Sequence, residues 1–414
     1  MMKRAVLLGL AVALPAAAIA QGPGGSVVGG VLGRVSGVTS DVLNTTGNVL
    51  HSTSTLGQTI QSLATLRADR LDTFVQAHRA TVERDDTGQP ARAHELLLLD
   101  PDPAALQIAT AAGFTLIDQG DLDGLGFAYA RLRTPPGKSL SSALRKLREA
   151  LPGRTVTADQ IHFASGGAAA GGPAPSVRPA RANPASGNTP VGIIDGGVRP
   201  SPRVADQAGF ASGAPHPDAH AQAIASLLAG AGTGRIYVAD VYGTDPAGGD
   251  ALAIARALGW MQNHGVRVVS ISLVGPANPL LARAVATVQA RGLVVVGAVG
   301  NDGSAAPAAY PASYPGVIAV TGVDAHNHVL FEAGHALHLD YAAPGADLTA
   351  IGLDGRMQRL RGTSFAAPLV ASRLAALRDG DDIGDMLERA NHEAVAPGPR
   401  TGRGILCAAC RKGI

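Results

Sequence analysis

Four polar residues open or close apolar runs in the second half of the sequence, and together their types could carry out acyl transfer. Asp195 ends Val191-Gly192-Ile193-Ile194 and precedes Gly196-Gly197. His220 opens the helix-like stretch 220–228, where Ala221, Ala223 and Ala225 allow close packing. Asn301 closes the apolar run Leu293–Gly300, with Gly303 after it. Ser364 stands in Gly362-Thr363-Ser364-Phe365-Ala366-Ala367-Pro368, directly before a long apolar helix. Pro368 is expected in the first helical turn, where no N–H partner is lost. Taken singly, these are a turn Asp, a helix-start His, a turn Asn and an N-cap Ser. Taken together they supply an acid, a base, an amide donor and a hydroxyl at the positive end of a helix dipole. The order Asp, His, Ser is one of several in which a catalytic triad is built. His216, between Pro215 and Pro217, competes with His220 for the base but has a less defined aim.

Such groups need a rigid frame. From Val191 onward, short apolar runs alternate with helical stretches: 191–194, 219–228, 236–241, 251–263, 266–273, 279–291, 293–299, 317–320 and 365–378. This pattern predicts a parallel α/β sheet covered on both faces, with ligands at the carboxyl ends of its strands. Before it, His94–Leu99 reads as a buried strand, Ala104–Ala112 as a helix, Phe114–Ile117 and Gly126–Arg133 as strands, and Arg154–Phe163 as a last strand. Leu140, Leu144, Leu147 and Leu151 make one helix face. The order β-α-β-β-α-β is that of a small ferredoxin-like α+β unit over 94–164. Residues 165–189 form a Ser/Gly/Ala- and Pro-rich linker, open to proteolysis. Residues 190–400 hold the α/β domain, and 401–414 a tail. Residues 21–93 read as a spacer, with a helix around Leu71–Val82.

Composition narrows the function. The chain has 414 residues, 46% hydrophobic and 16% charged, with net charge +2 from 34 basic and 32 acidic residues. It is not a disordered chain, and no basic field points to nucleic acid. With 3% aromatic residues, stacking platforms for single strands are not expected. Residues 1–20 have a basic start, a short apolar stretch and the small-x-small site Ala18-Ile19-Ala20, which predicts a Sec signal peptide. The mature chain is then expected outside the cytoplasm, secreted or periplasmic, with no membrane span. Cys407 and Cys410 would most readily form a local disulfide there, with a thiol pair and then a zinc site, for which only two ligands are near, as the alternatives. Gly137-Lys138-Ser139 lacks the first glycine of a P-loop, and no Gly-x-Ser-x-Gly elbow occurs.

At these residues the sequence resembles the subtilisin-like serine proteases, the peptidase S8 family, over about 190–380. Gly362–Pro368 is close to the family's Gly-Thr-Ser-x-Ala-x-Pro, Val191–Asp195 looks like its Asp motif, and Gly300-Asn301 matches its oxyanion Asn. Ser272-Leu273-Val274-Gly275-Pro276 is similar to its cleft-lining segment; Tyr310-Pro311-Ala312 and Ala343-Pro344-Gly345 also resemble family stretches. The resemblance implies a serine endopeptidase with Asp195, His220 and Ser364 as catalytic residues and Asn301 as oxyanion donor. Ser272, Leu273, Val274, Gly275, Ala298, Val299 and Gly300 would bind substrate. It implies polypeptide substrates, with a medium or large apolar residue before the cut, and no cofactor for the chemistry. Structural calcium occurs in the family, although no acidic loop here has a clear calcium spacing. The 94–164 unit would then be a propeptide, an intramolecular inhibitor leading straight into the active site. The sequence also departs from the family. Gly196 follows the Asp where Ser or Thr is usual, and only His220 and Ala225 survive from His-Gly-Thr-His-Val-Ala-Gly. Val274 replaces a Gly, which should narrow the cleft. The eroded His motif admits a second reading, a weak or inactive peptide-binding protein on the same fold.

Overall fold

The computed structural model describes residues 63–165, 189–380 and 382–412. The expected leader at 1–20, much of the spacer and nearly all of the linker lie outside the described residues. Those described belong to one unit, Thr59–Ile414.

A helix, α1 (63–77), comes first. It starts earlier than the sequence suggests, and Val82 belongs instead to a strand, β1 (Val82–Arg84). Then follow β2 (Pro90–Leu99), α2 (Pro103–Ala111), β3 (Thr115–Asp121), β4 (Ala128–Arg133), α3 (Leu140–Ala150) and β5 (Val156–Gln160). The antiparallel sheet runs β1-β2-β4-β3, and β5 also pairs with β2. This is the expected β-α-β-β-α-β arrangement with a short strand added. The run Leu96–Leu99 does not alternate, because both faces of β2 are buried. Leu96 and Leu98 pack with Leu140, Leu144 and Leu147 of α3. Leu97 and Leu99 point the other way, into a core shared with the second half of the chain.

The second half comprises β6 (Phe163–Ala164), β7 (Val191–Asp195), β8 (Val204–Gly209), α4 (Ala219–Gly230), β9 (Ile236–Asp240), α5 (Ala251–Asn263), β10 (Val268–Ile271), β11 (Leu273–Val274), α6 (Pro279–Ala290), β12 (Val294–Ala298), β13 (Ile318–Val323), β14 (Tyr341–Pro344), β15 (Ala346–Ile351), β16 (Met357–Arg361), α7 (Thr363–Leu377) and α8 (Ile383–Glu393). A seven-stranded sheet in the order β14-β13-β12-β10-β7-β9-β8 forms its centre. All its pairings are parallel. One face carries α4, α7 and α8. The other carries α5 and α6, and against these two helices lie Leu97, Leu99, Leu122, Leu125, Phe127 and Tyr129 of the N-terminal unit. Fully burying such side chains contributes about 1.5–3 kcal/mol each, so the two halves share a real core.

Polar contacts fix the same junction. Asp159 at the end of β5 accepts from the Leu252 N–H at the start of α5, 3.0 Å. Arg92 reaches Asp250 at 2.7 Å and Asp245 at 2.5 Å. The turn between β3 and β4 rests on α5 backbone to backbone. A Cβ added at Gly124 would lie 2.4 Å from the Gly259 carbonyl oxygen, and one at Gly259 would lie 1.9 Å from that of Asp123.

Most helices start with a side-chain cap: Asp102, Ser139, Asp218, Asp250, Asn278 or Asp382 accepts from first-turn N–H groups. Helix α7 starts with Gly362 and has no side-chain cap, so its N-terminal N–H groups are left to other partners. Because α7 begins at Thr363, Pro368 lies beyond the first turn, contrary to the sequence expectation. The Ser364 carbonyl, which a residue at 368 would normally satisfy, instead accepts from Ser272 Oγ at 2.8 Å. Cys407 and Cys410 are joined by a disulfide.

Candidate active site

Strand β7 is central in the sheet and every residue in it is buried. Its last residue, Asp195, is 1% exposed and lies at the carboxyl edge. Asp218 caps α4, accepting from the N–H groups of His220 at 2.8 Å and Ala221 at 3.1 Å. That cap fixes the first turn of α4. It sets the His220 Nδ1 at 3.1 and 3.0 Å from the two Asp195 carboxylate oxygens. Burial works against the charged imidazole, but the attraction of Asp195, its hydrogen bond and the charge of Asp218 outweigh it, so the His220 pKa is raised above 6.5. His216 does not compete for this place. Its N–H donates to Asp240, 2.6 Å, in the loop before α4.

Ser364 lies in the first turn of α7 and is fully buried. The ring of Phe365, the next residue, is 5.4 Å from the His220 ring. His220 Nε2 and Ser364 Oγ are both buried and have no hydrogen-bond partner among the described residues. Strand β12 delivers Gly300-Asn301 to the same edge. Asn301 Oδ1 accepts from the Thr363 N–H, 3.0 Å, and Thr363 Oγ1 donates to the Gly300 carbonyl, 3.1 Å. This orients the amide with its Nδ2 toward the start of α7. Gly362, at φ +143°, adopts a backbone that side-chain-bearing residues rarely take; a Cβ there would sit 3.1 Å from Asn301 Nδ2 and 3.4 Å from Ser364 Oγ. The amide and the hydroxyl therefore border one small space.

The residues expected to bind substrate divide. Val274, Gly275, Val299 and Gly300 line a common pocket with Asp302. Ser272 and Leu273 present backbone to the cleft, with Leu273 opposite Ala164. Ala298 packs in the core beneath α7. Asp195, Asp218 and His220 each offer one ligand atom, all within 4.8 Å. His220 Nδ1 and both Asp195 oxygens are engaged with each other, so this cluster is a hydrogen-bonded carboxylate–imidazole pair beside its helix cap.

Three features escaped the sequence reading. His162 was expected inside a continuous strand, but β5 ends at Gln160, and the chain bends through Ile161 and His162 before β6. Ser165 was placed in the linker; it is 2% exposed and lies at the site. Helix α1 reaches the loop beyond Asn301, where Arg67 and Arg70 lie 3.2 and 2.8 Å from Asp302.

Fold and site together define a parallel α/β protein of the subtilisin type, with an Asp–His pair and a serine at one sheet edge. The chain belongs to the subtilase family, whose model matches residues 191–394. It is 32% identical over 209 residues to subtilisin DY of Bacillus licheniformis, covering 46% of this chain and 76% of that one. It is also 32% identical over 167 residues to subtilisin BL of Lederbergia lenta, covering 40% of this chain. There the chain spans 61% of the relative's length. The crystal structure of fervidolysin from Fervidobacterium pennivorans has a similar fold, with TM-score 0.61 at 16% identity, covering 78% of this chain and 61% of that one.

Proposed function

We propose that this chain is an exported serine endopeptidase, with Asp195, His220 and Ser364 as its catalytic residues and Asn301 as an oxyanion donor. The observation that carries the reading is the state of His220. Both oxygens of Asp195 hold Nδ1, which leaves Nε2 buried and unbonded, and Ser364, next to the Phe365 whose ring lies 5.4 Å from that of His220, has an equally unbonded Oγ. An imidazole held this way is a base aimed by its acid.

Ser364 Oγ attacks a peptide carbonyl carbon while His220 Nε2 takes the hydroxyl proton. Asp195 fixes the tautomer and stabilises the imidazolium that forms. The oxyanion develops against Asn301 Nδ2 and the N-terminus of α7, which lacks a side-chain cap. His220 then protonates the leaving amine, and water releases the acyl group by the same steps in reverse roles. These steps use protein groups and water. The N-terminal unit is an inhibitory propeptide on this reading, supported by the core it shares with α5 and α6 and by the entry of its last residues into the cleft. A serine-directed phosphonate probe tests the assignment. Labelling at Ser364, lost in His220→Ala, is the expected result; a folded protein that neither labels nor hydrolyses unfolded polypeptides would be a peptide-binding member of the family.

A further inference from the structure

Two segments that adjoin the Asp195–His220 pair lie against each other. Gly196-Gly197 leaves the end of β7, and His216-Pro217-Asp218 leads into α4. The Gly197 N–H donates to the His216 carbonyl at 3.1 Å, and the Asp218 N–H donates to the Gly197 carbonyl at 2.8 Å. This approach leaves no room for side chains on the first segment. A Cβ at Gly196 would lie 2.5 Å from the Asp218 Cβ, and one at Gly197 would lie 2.6 Å from the His216 carbonyl oxygen.

The pairing links acid to base by a path outside their own hydrogen bonds. On the β7 side, the Gly196 N–H donates to Asp195 Oδ1 at 2.9 Å, and the Val241 N–H donates to the Asp195 carbonyl at 2.9 Å. On the α4 side, Asp218 Oδ1 holds the N–H groups of His220 and Ala221. Asp240 anchors the loop between them, accepting from the N–H groups of His216, Tyr242 and Gly243 at 2.6, 2.9 and 2.8 Å. A displacement of Asp218 would therefore move the first turn of α4, and His220 with it, relative to Asp195.

The same approach brings a second carboxylate to the imidazole. One oxygen each of Asp195 and Asp218 and a ring nitrogen of His220 lie within 4.8 Å of one another. Asp195 is buried and Asp218 is exposed, so solvent screens the second charge more than the first. From α7, His220 faces the uncharged ring of Phe365. Tyr242, which interacts with Asp195 and Asp218 from the loop after β9, stays neutral, because burial and the charges of Asp195, Asp218 and Asp240 push it well above 10.

We propose that Asp218 is a second acid that positions the catalytic base, and that Gly196 is the residue that admits it. This rests on the proteolytic reading above and deepens it. Asp218 acts through His220. Its cap places the imidazole, and its charge helps to hold the proton while the serine attacks. The glycine at 196, where Ser or Thr is usual, then follows from the acid that lies against it.

The test is a pH profile of kcat/KM on a peptide, with rates normalised to the serine titrated by the phosphonate probe. Asp218→Asn keeps a capping oxygen and removes the charge. Its acid limb should move to lower pH than that of wild type, since the imidazolium loses a neighbouring negative charge. A cap without an electrostatic role would leave the limb in place. Asp218→Ala should move the limb in the same direction and also lower the plateau by about tenfold, a loss that Asp218→Asn should rescue. Gly196→Ala tests the pairing. It should cost about tenfold or more in kcat/KM in the wild-type background, and less than about twofold in Asp218→Gly, where no Cβ meets it. An Asp218→Asn limb that coincides with the wild-type limb overturns the role of the charge. Equal costs of Gly196→Ala in the two backgrounds overturn the pairing, and both results leave the protease reading intact. A wild-type protein that neither labels nor hydrolyses unfolded polypeptides overturns that reading and this proposal with it.

Discussion

The side-chain amide of Asn301 donates to the backbone carbonyl of Ser165, 136 positions earlier in the chain. The amide that would stabilise a developing oxyanion is thus engaged by the end of the N-terminal unit. The same contact that would promote a first cut would, once the cut is made, hold the product carboxylate in the cleft and shut out other peptides.

Asn301→Leu should remove most of the turnover and little of the binding. The leucine keeps similar bulk but cannot donate. In subtilisin itself the corresponding change costs roughly 10²–10³ in kcat, about 2.7–4 kcal/mol, and the same scale is expected here. KM for a peptide should hold, because the lost interaction strengthens only as charge develops. A folded variant within about threefold of wild-type kcat, with chemistry rate-limiting, would remove Asn301 from the mechanism.

Activity should rise with pH through a midpoint above 6.5. His220 must be neutral to accept the Ser364 proton, and its interaction with Asp195 and Asp218 raises its pKa. Asp195→Asn should lower that midpoint together with kcat, since the imidazolium loses its counter-charge. A pH profile of kcat/KM for the mature enzyme measures both. A limb centred near pH 4 would point to a carboxylate base.

The docked segment should loosen in acid. Burial lowers the His162 pKa to about 4, and the nearby backbone of Gln160, Pro276 and Gly249 offsets this only in part. An undocked His162 titrates near 6.5, so between about 6.5 and 4 the free segment binds the proton and the docked one does not. Docking is therefore strongest above pH 6.5 and weakens as pH falls, by on the order of 3 kcal/mol at the limit. Amide protection at 161–165 in Ser364→Ala, measured against the intrinsic exchange rate at each pH, should fall over this range, and in His162→Phe its pH dependence should vanish. Protection unchanged down to pH 4 in Ser364→Ala would contradict it.

Helix α1 should act as a weak, salt-sensitive latch on the loop that follows Asn301. Arg70 is largely exposed while Asp302 is not, so the pairs are worth at most about 1 kcal/mol each. Replacing Arg67 and Arg70 together by Ala should speed loss of the cut unit about two- to tenfold at low salt, with the difference fading at high salt. Release followed by native gel or light scattering gives the rate, and a double variant that releases no faster would leave the helix without this role.

The candidate site residues were legible as a group because each closes or opens an apolar run, and a parallel sheet brings such ends to one edge. Leu96–Leu99 announced a buried strand, but not that its second face would be covered by helices of another domain, since periodicity carries no partner. Strand β8 is not legible because none of its residues is buried and Asp206-Gln207 interrupts its apolar positions, as suits an edge strand. The start of helix α1 is not legible because, of its apolar residues, only Leu71 is buried, and the helix is held partly by ion pairs. His162 was hidden for a different reason. A histidine between Ile161 and Phe163 fits a strand pattern, and its bend depends on Gly275, more than a hundred residues away.

The contact between the β3–β4 turn and α5 has a consequence for molecular identity. Gly124 and Gly259 meet with no room for a Cβ on either side, so at this point the fit is read by backbone shape, beside the ion pairs that also hold the junction. An N-terminal unit supplied as a separate polypeptide would be accepted only if its turn were equally bare. One taken from a relative with a side chain there would sit proud of the helix and tilt its final strand away from the cleft. That part of the recognition does not fade with ionic strength, so a mismatch at this turn would still be rejected in brine, where the ion pairs around it are screened.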